Sequence, residues 1–145
     1  GNLDPQKEAE LLKMLIHMVE DIHQPLHVGT GEDKGGNDVK VDYFGKPTNL
    51  HAVWDSSIIE GWNMNYTEIG DELSRRINKN LIAGYRAGGM DTWLAEAVSL
   101  RPMVYNLPES KKLSYNYGYE TRDTIEERLI AASIRLAKIL EEIYG

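Results

Sequence analysis

Three histidines and two aspartates between residues 17 and 55 are suited to binding a metal ion. His17 and Asp21 are four residues apart, and so are His51 and Asp55, which places each pair on one face of a helix. His27 lies between the two pairs. Imidazole and carboxylate groups are zinc ligands, and the chain has no cysteine to supply a thiolate. The sequence therefore predicts a zinc site at these five residues.

His27, His51 and Asp55 together would form a ligand set of the catalytic type. Catalytic zinc usually has three protein ligands and keeps a further position for water. Such a site polarises a phosphoryl oxygen or generates hydroxide, so hydrolysis is the reaction that it favours. His17 and Asp21 supply only two ligands, and no histidine precedes His17. We therefore expect their partners to lie outside this chain, on an upstream segment or another polypeptide.

The composition indicates one helical domain over residues 1–145, which we interpret as a portion of a longer protein. Hydrophobic residues make up 41% of the chain, enough for a sizeable core, and no run is long enough to cross a bilayer. The formal net charge is −7. An acidic balance argues against a broad basic surface for duplex DNA or anionic lipid. A polyanionic substrate is therefore expected to be held by metal.

Apolar periodicity predicts the helices that position these residues. The first, from about 7 to 23, carries a stripe of apolar residues at Leu11, Leu15, Met18 and Ile22, and is expected to be mostly buried. Pro25 ends this helix and lets His27 return from the following turn. Asn49 or Thr48 can cap a second helix that carries His51.

The remainder is predicted to be a helical scaffold with little sheet. One helix is expected over about 67–86, another from Asp91 to Pro102, and a last one over about 125–143 after a loop at 106–118. Turn residues followed by alternating polar and apolar residues predict a β-hairpin near 33–46. The apolar stripes suit helix-on-helix packing. The predicted fold class is all-α, a multi-helix bundle with a small hairpin.

Three segments of the chain resemble the S1/P1 nuclease family. They are the stretches His17–His27 (HMVEDIHQPLH), Asp33–Val41 (DKGGNDVKV) and Asn49–Asp55 (NLHAVWD). The residue types, their order and their spacing agree. The resemblance covers roughly the family's C-terminal half, and it implies a helical fold similar to that of bacterial zinc-dependent phospholipase C.

The resemblance also implies a role for each of the predicted ligands. His17 would bind one zinc of a closely spaced pair, and Asp21 would bridge that pair as the catalytic carboxylate. His27, His51 and Asp55 would hold the third zinc. The family's remaining ligands, including an N-terminal tryptophan, come from its N-terminal half and are not found in this sequence. One fully liganded zinc is therefore expected here, and the isolated chain is expected to lack part of the catalytic site.

By the same resemblance, the activity would be hydrolysis of single-stranded DNA or RNA to 5′-nucleotides, with 3′-nucleotidase activity, by a secreted or periplasmic enzyme. Asn37 matches a position close to bound nucleotide, and is a predicted substrate contact. Two alternatives stay open. One is a zinc-dependent phospholipase C, because it shares the metal chemistry. The other is a helical domain in which zinc ties helices together without catalysis; a structural zinc would have four protein ligands rather than three.

Overall fold

The computed structural model describes residues 4–145, and helices dominate this part of the chain. The helices are α1 (Pro5–Asp21), α2 (Leu50–Ala52), α3 (Ile58–Glu60), α4 (Tyr66–Ser74), α5 (Lys79–Arg86), α6 (Met90–Val104) and α7 (Tyr115–Tyr144). A π-helical turn, Val53–Ser57, joins α2 to α3. The strands are β1 (Lys40–Tyr43), β2 (Lys46–Asn49) and β3 (Lys112–Leu113). The predicted fold class is confirmed. None of the helices described is both long and apolar enough to cross a membrane.

The three strands form one small sheet in the order β2–β1–β3. β1 pairs antiparallel with β2 through a tight turn at Phe44 and Gly45, which have φ of 53° and 80°. Positive φ at both central residues suits the twist of a two-residue hairpin. Pro47 is tolerated because β2 is an edge strand. The hairpin therefore spans 40–49, later than predicted, and a parallel partner, β3, is added on the other side of β1.

The main core lies between the hairpin, the α2–α3 segment and the first half of α7. Its buried residues are Leu26, Val41, Leu50, Val53, Trp54, Ile58, Val104, Leu113, Tyr117 and Ile125. Within this core the Tyr117 hydroxyl accepts a hydrogen bond from Trp54 Nε1 and donates one to the Val104 carbonyl, both at 2.7 Å. These bonds hold the helical segment that carries His51 against α6 and α7.

The single helix predicted over 67–86 is wrong, because the chain forms two helices there. α4 ends at Ser74 and α5 begins at Lys79. The Asn78 side chain accepts hydrogen bonds from the backbone N–H groups of Asn80 and Leu81. This cap satisfies the free donors of a new helix start and so favours a break over a continuous helix. α7 also begins earlier than predicted, so part of the expected 106–118 loop is β3 and helix.

The prediction that α1 is mostly buried is also wrong. Val19 is the one buried residue within α1. The side chains of Leu11, Met14 and Met18 are 43%, 63% and 55% exposed. α7 packs along one side of α1, and no other element between residues 4 and 145 covers the side that carries these three residues. Leu11 and Met18 of the predicted stripe are therefore exposed, while Leu15 and Ile22 are half-buried.

Candidate metal centre

His51 and Asp55 lie on the helical segment that follows β2. The side chain of Asn49 accepts a hydrogen bond from Ala52 N at 2.8 Å and so starts α2, as predicted for this residue. His51 and Asp55 are four positions apart, and His51 Nε2 is 2.9 Å from Asp55 Oδ2. Asp55 is at the third residue of the π-helical turn. The pair therefore meets on one side of this segment, as the spacing predicted.

His27 returns to the same place from the turn after α1. The backbone N–H of His27 donates to the Gln24 carbonyl, and this turn begins directly after α1. His27 Nε2 is 3.1 Å from Asp55 Oδ1, and the rings of His27 and His51 stack with centroids 5.1 Å apart. The sequence reasoning that Pro25 separates His27 from the helix, and lets it approach the second pair, agrees with this geometry.

The donor set formed by His27, His51 and Asp55 fits a divalent metal. One ligand atom from each residue lies within 4.8 Å of the others. His51 Nδ1 is 2.8 Å from the Gly35 carbonyl oxygen. A carbonyl can only accept, so Nδ1 carries a proton, and Nε2 is the ring nitrogen that is directed at Asp55 and would be available to a metal ion. Two imidazoles and one carboxylate leave a coordination position open to water or substrate when they bind zinc.

His17 and Asp21 extend this centre along α1. His17 Nε2 is 3.4 Å from Asp21 Oδ2, while Asp21 Oδ1 is 3.3 Å from His27 Nδ1. Asp21 therefore lies between His17 and His27, and the five predicted residues form one continuous row. The His17 side chain is 72% exposed. Over the described part of the chain, His27, His51 and Asp55 form a potential metal-binding group of three, whereas none forms around His17.

Asn37 lies in the loop between residues 33 and 39, beside the centre. Its Nδ2 donates to the Lys34 carbonyl at 2.9 Å, and its own carbonyl accepts from Lys40 Nζ. These bonds stabilise its own turn. Its role as a substrate contact stays a prediction.

Gln24 is a contact of the centre to which the sequence analysis assigned no role. Its Nε2 donates to Asp55 Oδ1 at 2.7 Å, and its Oε1 accepts from Leu26 N. The amide thus orients the carboxylate of a predicted ligand that lies 31 positions later in the sequence. The position of Gln24 between Asp21 and His27, in a segment that resembles the family, was the only indication in the sequence of a role at the site. Helix periodicity does not predict which side chain the Gln24 amide contacts.

His23, the remaining histidine, belongs to the core and lies apart from the five predicted ligands. It is 2% exposed, its Nδ1 donates to the Val19 carbonyl, and its Nε2 accepts from Arg135 Nη1 at 2.9 Å. Burial is the main reason why the pKa of His23 is lowered to about 4. The neutral ring therefore anchors the end of α1 next to Asp21.

Comparison with known proteins identifies the family. The model of the S1/P1 nuclease family matches residues 2–145. The chain belongs to the S1/P1 nuclease family. Among the S1/P1 relatives, it is 36% identical over 156 residues to nuclease S1 of Aspergillus oryzae, with 91% of this chain and 53% of the relative aligned. It is 32% identical over 154 residues to endonuclease 1 of Arabidopsis thaliana, with 94% of this chain and 50% of the relative aligned.

Nuclease P1 of Penicillium citrinum is 28% identical over 173 residues, with all of this chain and 62% of the relative aligned. The chain therefore spans about half the length of several of the curated S1/P1 relatives that it matches. Membership of the family is shown by sequence over nearly the whole chain, and the row of imidazoles and carboxylates is its candidate metal centre.

Proposed function

We propose that the protein containing this sequence is a zinc-dependent nuclease. It would hydrolyse single-stranded DNA or RNA to 5′-nucleotides and would also act as a 3′-nucleotidase. The observation that carries the proposal is the convergence of His27, His51 and Asp55 in a chain of the S1/P1 nuclease family. The relatives that it matches are named as nucleases and endonucleases.

Zinc held by His27, His51 and Asp55 would supply a Lewis acid for a phosphoryl oxygen and lower the pKa of a water molecule. The chain's own residues prepare this site. Gln24 orients the Asp55 carboxylate, and the Gly35 carbonyl holds His51 with Nε2 toward it. Asp55 is 36% exposed and both imidazoles are 24% exposed, which leaves the site accessible to a phosphodiester.

Asp21 is proposed as the catalytic carboxylate, shared between two neighbouring metal positions. Its two oxygens face His17 on one side and His27 on the other. A carboxylate with two separately directed oxygens is suited to bridging cations. We propose that His17 and Asp21 complete their ligand sets with groups from outside these 145 residues, giving three zinc ions in the whole protein. The exposed Met14 and Met18 side chains near His17 offer an apolar surface for that additional polypeptide.

A single strand is the proposed substrate because its unpaired bases can stack on exposed aromatic side chains without a sequence code. The chain is acidic overall, with a net charge of −7, so metal ions would provide most of the attraction for phosphate. Asn37, in the loop beside the centre, is the proposed contact to the nucleotide. Export to the periplasm or the medium is proposed from the same family membership.

The test compares Asp55→Asn with Asp123→Asn in the full-length protein. Asp123 is exposed on α7 and so controls for loss of one negative charge. We expect Asp55→Asn to weaken zinc binding at one site by more than about 100-fold and to abolish hydrolysis. This loss is larger than that expected for a residue that only hydrogen-bonds to a metal ligand. Zinc content is measured by atomic absorption, and activity on single-stranded DNA, RNA, 3′-AMP and phosphatidylcholine vesicles.

Retention of zinc and activity in Asp55→Asn would contradict the proposal. Hydrolysis of phosphatidylcholine without hydrolysis of nucleic acid would instead identify a phospholipase C. Four protein ligands to zinc at this site, seen by X-ray absorption, with no hydrolysis of any of these substrates, would identify a structural zinc.

A further inference from the structure

We propose that Tyr105 is a positioning residue for the metal centre. Through Asp33 and the loop that follows it, the Tyr105 hydroxyl would hold the His51 ring with Nε2 directed into the centre. The inference rests on the proposed function in one respect, since it assumes that His51 is a ligand. It assigns a role in the site to a residue at the end of α6, far from the ligands in sequence.

Tyr105 contacts Asp33, which begins the loop next to the centre. The Tyr105 hydroxyl donates to Asp33 Oδ2 at 2.7 Å across 72 positions of sequence. The other oxygen, Oδ1, accepts from Gly36 N at 3.0 Å, and the Asp33 carbonyl accepts from Asp38 N. One carboxylate therefore joins α6 to the loop, and uses both oxygens to do so.

The loop that follows Asp33 has an unusual backbone conformation. Lys34, Gly35 and Gly36 have φ of 54°, 62° and 84°, so three consecutive residues are left-handed. This conformation is costly for a lysine and persists only where neighbouring groups hold it. A Cβ on Gly35 would collide with the carbonyl oxygen of Leu26. The loop backbone thus fits closely against the turn before His27, and Asp33 bonds across it.

The loop in turn contacts His51, the proposed ligand. The Gly35 carbonyl accepts the Nδ1 proton of His51 at 2.8 Å. This bond keeps a proton on Nδ1 and directs Nε2 toward Asp55, 2.9 Å away. A rotation of the peptide at Gly35 would remove the acceptor and allow Nδ1 to lose its proton. The order of contacts is therefore Tyr105, Asp33, Gly35 and His51.

The ionisation states of Tyr105 and Asp33 suit this arrangement at neutral pH. Burial, and then the bond to Asp33, raise the pKa of Tyr105 to about 12, so the hydroxyl keeps its proton. The same bond is the main reason why the pKa of Asp33 is lowered, so the carboxylate stays an acceptor. The donor and the acceptor are therefore both in the required form at neutral pH.

The experiment compares Tyr105→Phe with Tyr43→Phe in the full-length protein. Tyr43 is also half-buried, but its hydroxyl lies near Gly61 and Gly118, away from the loop. Nitrogen-15 NMR of the histidine rings, in metal-free protein, reports whether Nδ1 of His51 carries a proton. We expect Tyr43→Phe to keep the Nδ1 proton of the parent protein, and Tyr105→Phe to populate a form in which Nδ1 has lost it. Zinc affinity at the site should then fall about tenfold in Tyr105→Phe alone.

Asp33→Asn is a second variant that keeps the loop bond. Its amide oxygen can still accept from Gly36 N, whereas its NH2 group cannot accept from Tyr105. It should show the same partial loss of the His51 Nδ1 proton. An unchanged Nδ1 proton on His51 in both Tyr105→Phe and Asp33→Asn would overturn the inference. If the parent protein bound no zinc, the proposed function would fail, but the NMR measurement would still decide the role of Tyr105.

Discussion

At the scale of single residues, the centre depends on which atom each side chain presents. His27 has a carboxylate oxygen within 3.3 Å of each ring nitrogen, from Asp21 on one side and Asp55 on the other. His51 has one ring nitrogen bonded to the Gly35 carbonyl and so directs only the other to the centre. His51 is therefore pre-oriented by the backbone, whereas the orientation of His27 depends on the two carboxylates beside it.

Gly35→Ala is predicted to weaken zinc binding more than a glycine-to-alanine substitution at another position with positive φ. The new Cβ would meet the Leu26 carbonyl, a backbone atom that cannot move aside easily. We expect a loss of more than about 1 kcal/mol in the free energy of unfolding, and weaker zinc binding, because the acceptor for His51 shifts. Urea denaturation and zinc titration measure the two effects.

Gly45→Ala is the control for Gly35→Ala. Gly45 also has positive φ, 80°, but open space surrounds the position where its Cβ would lie. It should lose stability through backbone strain and keep its zinc affinity. Equal zinc affinities in the two variants would show that the contact with Leu26 does not position the loop.

At the scale of elements, the α2–α3 segment shows how one helix serves both the core and the centre. Val53, Trp54 and Ile58 are buried, while Asp55 is exposed. The π-helical turn at Val53–Ser57 adds one residue per turn, which allows Ile58 to pack inward after Asp55 has pointed outward. In a regular α-helix, residues three positions apart such as Asp55 and Ile58 would share a face, and the π-helical turn instead places one outward and one inward.

The helices around α1 are joined by a buried guanidinium on α7. Arg135 is 1% exposed, and it donates to both carboxylate oxygens of Glu96, to His23 Nε2 and to the Tyr85 carbonyl. It therefore links α7 to α6, to α5 and to the turn after α1. Removal of one partner leaves a buried charge without compensation.

Glu96→Gln is predicted to lower the free energy of unfolding by about 3 kcal/mol, at the low end for a buried pair because Glu96 is itself partly exposed. The Arg135 hydrogen bond holds the pKa of Glu96 below its ordinary 4.5. The contribution of the ionised Glu96 to stability is therefore complete above pH 4.5, and it is lost as the pH falls through the pKa of Glu96 in the folded state. Urea denaturation at several pH values should show that the parent protein loses stability in acid. Glu96→Gln should lose less stability over the same pH range.

Glu72→Gln is the control for this pair. Glu72 pairs with Arg75 on the surface, and both side chains are more than half exposed. We expect a change of no more than about 0.5 kcal/mol. A similar change in both variants would mean that the Arg135 network contributes no more than a surface ion pair.

At the scale of the whole molecule, the centre is held by packing between distant parts of the chain. Tyr117 on α7 bonds to Trp54 of the π-helical turn and to Val104 at the end of α6. Burial, and not these bonds, is the main cause that raises the pKa of Tyr117 to about 12. One buried hydroxyl therefore connects the segment with His51 and Asp55 to the helix that ends next to Tyr105.

Tyr117→Phe is predicted to lower the free energy of unfolding by about 1–3 kcal/mol, because the Trp54 indole N–H is left buried without its acceptor. Thermal and urea denaturation provide the measurement. Tyr119→Phe, on the same helix with its ring 84% exposed, should change little. If the two variants were equally stable, the Tyr117 hydroxyl would not contribute to holding the α2–α3 segment.

The sequence by itself determined the features that depend on neighbours along the chain. The four-residue spacing placed His17 beside Asp21 and His51 beside Asp55, because a helix repeats every 3.6 residues. The break at Pro25 freed His27. The mostly helical fold class followed from apolar stripes of the same period. The motifs were specific enough to indicate the family that the comparison then confirmed.

Only the tertiary structure decided the contacts between residues that are far apart in sequence. Gln24 meets Asp55 across 31 positions, and Tyr105 meets Asp33 across 72. Helix periods and turn preferences act over a few residues, whereas these contacts depend on how α6, α7 and the hairpin pack together. The exposure of the α1 stripe has the same origin, since a local pattern identifies an apolar face but only its neighbours in space determine whether that face is buried.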